Sequence, residues 1–279
     1  MSIFDEPKID CHIHLFDPVR FPYQEDIFYR PGGQELGTPA QFAQLQDAYE
    51  VHYALAVGPN SGYATDNRCL LDAIARSNGR LKGVAVVAND VTREELLRLK
   101  AGGVLGITMN VALLGVAAFS DIADLLDMLA ELELFAQIQV ENDQLVELMP
   151  SLLNCRTRLI FDHCGRPDPA RGIEQPGFQA LLERGRRGNA FVKLSGYVKY
   201  SHQPFPYADM WPYVRALVEA FSLDACLWGS DWPFLRAPER IDYGPLLKLV
   251  AHLFPDAQLR RKLMWDTPRT LFKFGEDTL

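Results

Sequence analysis

The stretch KIDCHIHLF, residues 8–16, is the first of a series of short apolar runs, and it carries two histidines two positions apart. Side chains at positions i and i+2 of a strand point to the same side, so His12 and His14 are predicted to project together. By the same alternation, the opposite face would carry Ile9, Cys11, Ile13 and Leu15. A lone His-x-His pair is often satisfied by nearby polar groups, so the rest of the chain decides its meaning.

Eight such apolar runs recur along the chain. They cover residues 8–16, 52–60, 81–90, 103–110, 134–140, 158–165, 190–196 and 225–233. Several are apolar at nearly every position, which is typical of parallel strands covered on both faces. Between them, residues 66–77, 92–101, 121–132 and 209–221 show apolar positions at helical spacing. Strand and helix alternating about eight times predicts an α/β protein, a (β/α)8 TIM barrel, as a single domain over residues 1–279.

A doubly wound open sheet is the competing architecture. A nucleotide-binding version of that fold would need a glycine-rich phosphate loop after the first strand, and the sequence has none there. Two longer segments, residues 17–38 and 197–207, are rich in Pro, Tyr and Phe. Loops of this length are commonly functional, and these two are predicted to lie over one mouth of the barrel.

Composition narrows the class of partner. The net charge is −8, and no Lys/Arg cluster stands out, which argues against nucleic acid or an anionic membrane as a partner. A small-molecule substrate is therefore predicted. Five cysteines, mostly in apolar runs, indicate reduced thiols of a cytoplasmic protein, and no apolar stretch reaches membrane-spanning length. Whether the chain forms a homodimer is left open by the sequence.

The polar residues at the ends of the predicted strands point to chemistry. The carboxyl ends of barrel strands meet at one face, where active sites lie. The residues at these ends are His12, His14, Asp162, His163, Ser195 and Asp231. Three imidazoles and a carboxylate suit a divalent ion such as zinc, and they equally suit a general base with hydrogen-bonding helpers around a carbonyl.

The chain resembles the amidohydrolase superfamily, in its amidohydrolase 2 branch, and within it the sugar lactonases and 2-pyrone-4,6-dicarboxylate lactonases. The segments that carry the resemblance are DCHIHLF (10–16), TDNRCLL (65–71), FDHCGRPD (161–168), VKLSG (192–196), WGSDWP (228–233) and WDTPRTLFKF (265–274). They span nearly the whole chain. The resemblance implies a hydrolase that opens a cyclic ester by direct attack of water.

The same resemblance implies the roles of four residues. Asp231 would deprotonate the attacking water and return the proton to the leaving oxygen. His12, His14 and His163 would polarise the lactone carbonyl, either directly or through a metal. The cofactor expectation is accordingly none or one divalent ion, zinc or manganese, held by these three histidines and Asp231. A bridging carboxylated lysine, found in two-metal relatives, has no counterpart, because Asn110 and Gln139 stand at the middle strand ends.

Substrate-binding candidates lie at the predicted strand ends and in the loops that follow them. They are Asn67, Arg68, Asn110, Gln139, Arg166 and Tyr197. The dicarboxylate lactonases have arginines on the fourth strand, where this chain has Leu105 and Thr108 in GVLGITMN. This departure favours a neutral or singly charged lactone, unless other strands supply positive charge. The side chains that could do so are Arg166, Lys193, Lys199 and Arg236.

Two other functions remain as alternatives on the same barrel. One is a mononuclear metal-dependent decarboxylase or C–C hydrolase, which would need a tightly bound ion. The other is a non-catalytic barrel retained for ligand binding. Loss of Asp231 or of the His12–His14 pair would have favoured the second alternative, and the sequence keeps all three residues.

Overall fold

Eight parallel strands follow one another around a barrel in the computed structural model, which describes residues 2–275. The strands are β1 (Lys8–Ile13), β2 (Val51–Val57), β3 (Leu81–Ala85), β4 (Val104–Asn110), β5 (Phe135–Gln139), β6 (Leu159–Phe161), β7 (Ala190–Leu194) and β8 (Cys226–Trp228). Their spatial order equals their order in the chain. A parallel bridge from Ile13 to Trp232 nearly closes the ring between β8 and β1. The prediction of a (β/α)8 barrel is confirmed.

Helices connect the strands on the outside of the barrel. They are α1 (Pro39–Ala48), α2 (Arg68–Arg76), α3 (Arg93–Ala101), α4 (Val111–Leu114), α5 (Ala123–Glu131), α6 (Gln144–Leu152), α7 (Pro176–Arg187), α8 (Trp211–Phe221), α9 (Tyr243–Leu253), α10 (Ala257–Arg261) and α11 (Thr267–Phe272). Each of the four predicted helical segments contains one of these helices. Among residues 2–275, none of the helices has the length and apolar character needed to cross a membrane. The domain boundaries 1 and 279 stay a prediction, because both residues lie outside the described part.

The interior of the barrel holds an apolar cluster below the mouth. Its members come from the strands and the C-terminal segment, and they are Ile9, Cys11, Leu55, Val57, Val84, Phe135, Ile160, Leu227, Phe272 and Phe274. A larger cluster lies between the strands and the helices. The polar groups at the carboxyl ends of the strands therefore rest on a dry apolar plug, which excludes water from beneath them.

A β-bulge in β1 sets the direction of the two histidines. Asp10 pairs with Ala54 and Ile13 pairs with Ala56, so the two residues between them on β1 face a single residue of β2. The prediction that Ile9 and Cys11 face away from the histidines is therefore wrong, since both belong to the interior cluster. Strict alternation fails because the bulge inserts one residue and turns His12 inward. Ile13 and Leu15 do pack in the outer cluster, as predicted.

Several predicted strands run too far at their carboxyl ends. The run 158–165 contains a strand of three residues, and the run 225–233 contains another of three. The backbone leaves the extended conformation at the polar residues that follow: φ is +50° at His163 and +63° at Asp231. Left-handed conformations cost non-glycine residues roughly 1–2 kcal/mol each and cluster at functional sites. The candidate site thus begins where the regular strands stop.

Candidate active site

Four side chains from three strand ends converge at the mouth of the barrel. His12 and His14 come from β1, His163 from the turn after β6, and Asp231 from the turn after β8. The Oδ1 atom of Asp231 lies 3.4 Å from Nε2 of His14, 3.7 Å from Nε2 of His12 and 3.9 Å from Nε2 of His163. This oxygen is buried and has no hydrogen-bond partner within the described residues. Its pairing capacity is therefore open to a ligand or a water.

Two glycines allow this close approach. A Cβ added at Gly229 would lie 2.7 Å from Cβ of His12 and 2.9 Å from its backbone nitrogen. A Cβ at Gly196 would lie 2.5 Å from Nδ1 of His163, and Gly196 also has a φ of +69°. Larger residues would force the histidines out of place. The glycines of the WGSD and LSG segments are thus part of the local architecture of the site.

Lys199 covers the other oxygen of Asp231. Its Nζ lies 2.6 Å from Oδ2 of Asp231, and its side chain is 16% exposed against 3% for the aspartate. Burial alone would raise the pKa of Asp231, but the Lys199 ammonium and the three neighbouring histidines together outweigh burial and hold this pKa well below its usual range. Asp231 is therefore ionised at neutral pH, with one oxygen paired and the other unpaired.

A second layer of buried polar groups lies beneath His12. Nδ1 of His12 is 3.3 Å from Oδ1 of Asp162 and 3.3 Å from Nζ of Lys193. Lys193 Nζ also lies 3.1 Å from Oδ1 of Asp162 and donates to Oε1 of Gln137 at 2.5 Å. Gln137 in turn donates from Nε2 to Oδ2 of Asp162 at 2.8 Å. The layer thus forms a ring of contacts that fixes the underside of His12.

The rings of His14 and His163 are also held in place by contacts at Nδ1. Nδ1 of His14 lies 2.9 Å from the carbonyl oxygen of Val57. Nδ1 of His163 lies 3.0 Å from Oγ of Ser195, and burial lowers the pKa of His163 well below its usual range, so this ring is neutral. Each histidine therefore keeps Nδ1 engaged with the protein and turns Nε2 toward Asp231.

A cavity of about 460 Å³ opens above this cluster. His12, His14 and Lys199 form part of its wall, and each of these side chains contacts Asp231. Further polar lining comes from Asn60, Ser61, Thr108, Asn110, Gln139, Glu141, Asp162, Arg166 and Arg236. Within residues 2–275, no carboxylate lies within 4.0 Å of the Arg166 or Arg236 guanidinium groups. The cavity is therefore suited to a small molecule that carries negative charge.

The donor set also has the composition of a metal site. Ligand atoms of His12, His14 and Asp231 lie within 4.8 Å of one another, as do those of His12, Asp162 and His163. Imidazole and carboxylate ligands in such groups can hold a divalent ion. The chain thus carries a His/Asp group of the kind that binds zinc or manganese in proteins.

A family model described as Amidohydrolase matches residues 9–274. The chain belongs to the amidohydrolase family. This amidohydrolase is 33% identical to a 4-sulfomuconolactone hydrolase of Rhizobium radiobacter, over 94% of the chain and 89% of the relative. It is 30% identical to a 2-pyrone-4,6-dicarboxylate hydrolase of Comamonas testosteroni, over 95% of the chain and 89% of the relative.

Among solved structures, this amidohydrolase resembles a probable 2-pyrone-4,6-dicarboxylic acid hydrolase of Acinetobacter baumannii with citric acid bound. The TM-score is 0.87 at 28% identity, and the match covers 96% of this chain and 100% of the other. These likenesses agree with the resemblance in the sequence motifs. The enzyme class, an amidohydrolase-family hydrolase, follows from the family match and from these relatives.

The structure divides the six predicted substrate-binding residues of the amidohydrolase into two groups. Asn110, Gln139 and Arg166 line the cavity. With its amide oxygen turned toward Arg166, Gln139 accepts hydrogen bonds from Nη1 at 3.2 Å and from Nη2 at 3.1 Å. This contact places the guanidinium on the cavity wall, where it can meet an anionic group of a ligand.

Asn67, Arg68 and Tyr197 belong elsewhere, and we remove them from the proposed site. Asn67 is buried and exchanges hydrogen bonds with the backbone of Val86, so it joins two loops. Arg68 is 70% exposed and pairs with Asp66 on the protein surface. Tyr197 is buried against neighbouring tyrosines instead of facing the cavity. Sequence position alone could not separate these residues from the lining, because all three follow strand ends.

Leu105 and Thr108, the two β4 positions where the dicarboxylate lactonases have arginines, also lie in different surroundings. Thr108 lines the cavity, whereas Leu105 packs against the interior apolar cluster. Positive charge comes instead from Arg166, Lys199 and Arg236, which the sequence offered as alternative sources. Lys193, the fourth of these, is fully buried beneath His12. The sequence did not indicate the roles of Lys193 and Gln137; the only signal was a polar residue within an otherwise apolar strand run.

Proposed function

We propose that this amidohydrolase opens a small anionic lactone by attack of water activated by Asp231. The observation that supports this proposal is the unpaired, buried Oδ1 of Asp231, surrounded by the Nε2 atoms of three histidines. An ionised carboxylate in this position can accept a proton from water. An imidazole N–H of this group can donate a hydrogen bond to a carbonyl oxygen, on which negative charge develops during attack.

The proposed reaction proceeds in two steps. Water bound at Oδ1 of Asp231 transfers a proton to that oxygen as its oxygen bonds to the lactone carbonyl carbon. The tetrahedral intermediate then collapses, the ring C–O bond breaks, and Asp231 returns the proton to the leaving oxygen. Water is consumed, and a hydroxy acid or its keto tautomer is formed. Lys199 keeps Oδ2 in place, so Oδ1 alone exchanges the proton.

The substrate is proposed to carry one or more anionic groups. The guanidinium groups of Arg166 and Arg236 line the cavity without carboxylate partners in the described residues, and the cavity of about 460 Å³ suits a monocyclic compound. The relatives named for a sulfonated and a dicarboxylated lactone are consistent with this class. We therefore narrow the expectation of a neutral or singly charged lactone to an anionic one, since the missing fourth-strand charges have substitutes on other strands.

The distances between the candidate ligand atoms suit a divalent ion in part, but the hydrogen bonds of the donors do not. A tetrahedral ion with bonds of about 2.0–2.1 Å needs ligand atoms about 3.3 Å apart. The Nε2 atoms of His12 and His14 are 3.3 Å apart, and Oδ1 of Asp231 is 3.4 Å from the latter. However, ammonium groups already contact two of the donors: Lys199 at Asp231 and Lys193 at Nδ1 of His12. As it is hydrogen-bonded here, the set does not fit a four-ligand ion, and no step is derived through one.

We place the two alternatives below hydrolysis. The decarboxylase structures that share the fold are only 14% identical to this chain, which shows the fold alone. A non-catalytic barrel would not need a buried carboxylate with an unpaired oxygen, because such a group is costly to retain. The cytoplasmic location, the absence of nucleic-acid and membrane partners, and a homodimer stay predictions from the sequence.

The test of the proposed function is a comparison of substrates with the purified protein. We expect hydrolysis of 4-sulfomuconolactone or 2-pyrone-4,6-dicarboxylate with kcat/KM about 10²-fold or more above that for a neutral δ-lactone, since charge-assisted hydrogen bonds are worth about 1.5–3 kcal/mol each. Ring opening is followed by ultraviolet absorbance and by acid release. Hydrolysis of the neutral lactone alone would overturn the anionic class, and failure on all three would overturn the lactonase.

A Lys199→Met variant is expected to move the acid limb of the kcat/KM profile to higher pH. Lys199 lowers the pKa of Asp231, so its removal raises that pKa, and the catalytic carboxylate becomes protonated at a higher pH. An opposite charge in contact commonly accounts for about 1–3 pH units. Lys262→Met, which removes a surface lysine paired with Asp224, is the matched control and should leave the limb unchanged. An unshifted limb in Lys199→Met would contradict the assignment of Asp231 as the base.

A further inference from the structure

Lys193 is a fully buried cation beneath the candidate site. It has no exposed surface, and its ammonium group has three acceptors within reach. They are Oε1 of Gln137 at 2.5 Å, Oδ1 of Asp162 at 3.1 Å and Nδ1 of His12 at 3.3 Å. A lysine ammonium has three N–H donors, and a buried donor without an acceptor is costly. Gln137 and His12 meet hydrogen-bond geometry, whereas Oδ1 of Asp162 forms an ion pair with Lys193 without a hydrogen bond. The donor that faces His12 is satisfied only if Nδ1 of His12 accepts.

His12 carries a single ring proton. The Lys193 ammonium lies 3.3 Å from Nδ1 of His12, and a second ring proton would place a cation against this cation, so the ring is neutral. In a neutral imidazole one nitrogen donates and the other accepts. If Nδ1 accepts from Lys193, the proton must lie on Nε2, which faces Asp231 and the cavity.

The contacts of the neighbouring histidine are consistent with the same arrangement. Nδ1 of His14 lies 2.9 Å from the Val57 carbonyl oxygen, which can only accept, so Nδ1 of His14 carries a proton. In neutral His14, Nε2 is then an acceptor. It lies 3.3 Å from Nε2 of His12, a contact that becomes a hydrogen bond when His12 donates from Nε2.

The opposite tautomer would produce two unfavourable contacts. With the proton on Nδ1, His12 could donate to Asp162, 3.3 Å away. The third N–H of Lys193 would then point at an N–H group, and two imidazole lone pairs would face each other 3.3 Å apart. The carboxylate–histidine pair typical of metal ligands exists here, but Lys193 contacts the carboxylate and the imidazole together.

We propose that Lys193 is a positioning residue that holds the proton of His12 on Nε2, so that His12 presents an N–H donor to the substrate carbonyl and not a lone pair to a metal ion. Without substrate, a chain of hydrogen bonds runs from Lys193 through His12 and His14 to the Val57 carbonyl. When substrate binds, its carbonyl oxygen replaces Nε2 of His14 as the acceptor of the His12 N–H. The role of the carbonyl rests on the proposed function, whereas the position of the proton does not.

Histidine NMR on the metal-free wild-type protein tests the position of the proton. Protein with ¹⁵N-labelled histidine is treated with chelator at pH 7.5, and long-range ¹H–¹⁵N correlations distinguish the two neutral tautomers. The chain has six histidines, and His12 is assigned by the signal that disappears in His12→Gln. We expect His12 with its proton on Nε2. A proton on Nδ1 of His12 would overturn the proposal, whatever the substrate of the enzyme is.

A Lys193→Met variant tests the cause. Without the ammonium, Asp162 becomes the acceptor for Nδ1 of His12, so the NMR pattern of His12 should switch to the other tautomer. Zinc affinity, measured by competition with a chelating dye, should increase at least tenfold, because Nε2 is then a free ligand beside a carboxylate–histidine pair. Unchanged tautomer and zinc affinity in a folded variant would show that Lys193 only fills space, and would overturn the proposal.

The matched control is Lys8→Met. Lys8 lies on β1 and, like Lys193 on β7, has no exposed surface. Its ammonium donates to the backbone carbonyls of Phe4, Glu6 and Tyr49, at the end of β1 opposite to His12. Its removal should lower stability without changing the His12 tautomer or zinc affinity. A tautomer switch in Lys8→Met would show that loss of any buried lysine disturbs His12, and would overturn the specific role of Lys193. If Lys193→Met does not fold, the wild-type NMR spectrum still shows whether the His12 proton lies on Nε2, and so still tests the proposal.

Discussion

An Asp231→Asn variant is expected to lose about 10²–10⁴-fold in kcat/KM for lactone hydrolysis, the usual contribution of a positioned general base, while it stays folded. Asparagine has nearly the same shape as aspartate, but its amide cannot accept a proton from water at neutral pH. Oδ1 of Asp231 is the atom on which the Nε2 atoms of three histidines converge. Steady-state assays with an anionic lactone measure the loss.

The stability of this variant should change little. Removal of the Asp231 charge leaves Lys199 without its partner, but Lys199 is 16% exposed and can turn toward solvent in the cavity. A buried ion pair that loses one member is strongly destabilising only when the other charge stays buried. We therefore expect a change in Tm of a few degrees at most, measured by differential scanning fluorimetry.

Asp10→Asn is the matched control for loss of a buried carboxylate. Asp10 also lies on β1, has no exposed surface, and accepts hydrogen bonds from the backbone nitrogens of His12 and Ser230 and from the hydroxyl of Tyr243. It faces α9 and not the cavity. Activity within about tenfold of wild type is expected for this variant, since an amide oxygen can accept from both backbone nitrogens. Equal losses of kcat/KM in Asp231→Asn and Asp10→Asn would contradict the assignment of Asp231 as the general base.

The barrel and the convergence of its polar ends could be predicted from sequence because both follow from simple periodicity. Parallel strands must end at one face, so His12, His163 and Asp231 were expected to lie together. They do so although His12 and Asp231 are 219 positions apart in the sequence. The structure brings them together, with Nε2 of His12 and of His163 at 3.7 and 3.9 Å from Asp231. Geometry of this kind depends on topology and not on side-chain detail.

The faces of β1 could not be predicted in the same way. Alternation assigns Cys11 and His12 to opposite sides, but the bulge places both toward the barrel axis. A bulge adds one residue without any marker such as glycine or proline in KIDCHI. The reason for it lies in the partner elements: Asp10 binds the backbone of Ser230 and the hydroxyl of Tyr243, and this fixes β1 against β8 and α9.

The lining of the cavity was the least predictable part. Asn67 follows β2 and Asn110 ends β4, and both look suited to bind a ligand, yet the first binds the backbone of Val86 and the second lines the cavity. The outcome depends on loop conformation, which local sequence does not encode. Arg166 illustrates the same point, because it reaches the cavity through four consecutive left-handed residues, His163 to Arg166.

An Arg166→Met variant is expected to lose about 10²-fold in kcat/KM on an anionic lactone, chiefly through a higher KM, because a charge-assisted pair contributes about 1.5–3 kcal/mol. The substrate anion would meet a guanidinium that Gln139 holds on the cavity wall and that no carboxylate contacts in the described chain. Methionine keeps an unbranched apolar stem and removes the guanidinium group. Arg166 has a φ of +43°, which strains both residues equally, so the backbone cost of the substitution should be small.

The charge of the substrate provides the decisive control for this last prediction. On a neutral lactone the Arg166→Met variant should fall within about threefold of wild type, since no anion is left for the guanidinium to bind. Arg171→Met removes a nearby surface arginine that pairs with Asp143 at 2.6 Å, and it should leave both substrates unaffected. Equal losses on charged and neutral lactones would mean that Arg166 supports the left-handed turn and does not recognise the anion. A loss confined to charged lactones would locate the anion-binding group in a residue that follows β6, and not in the fourth-strand positions Leu105 and Thr108.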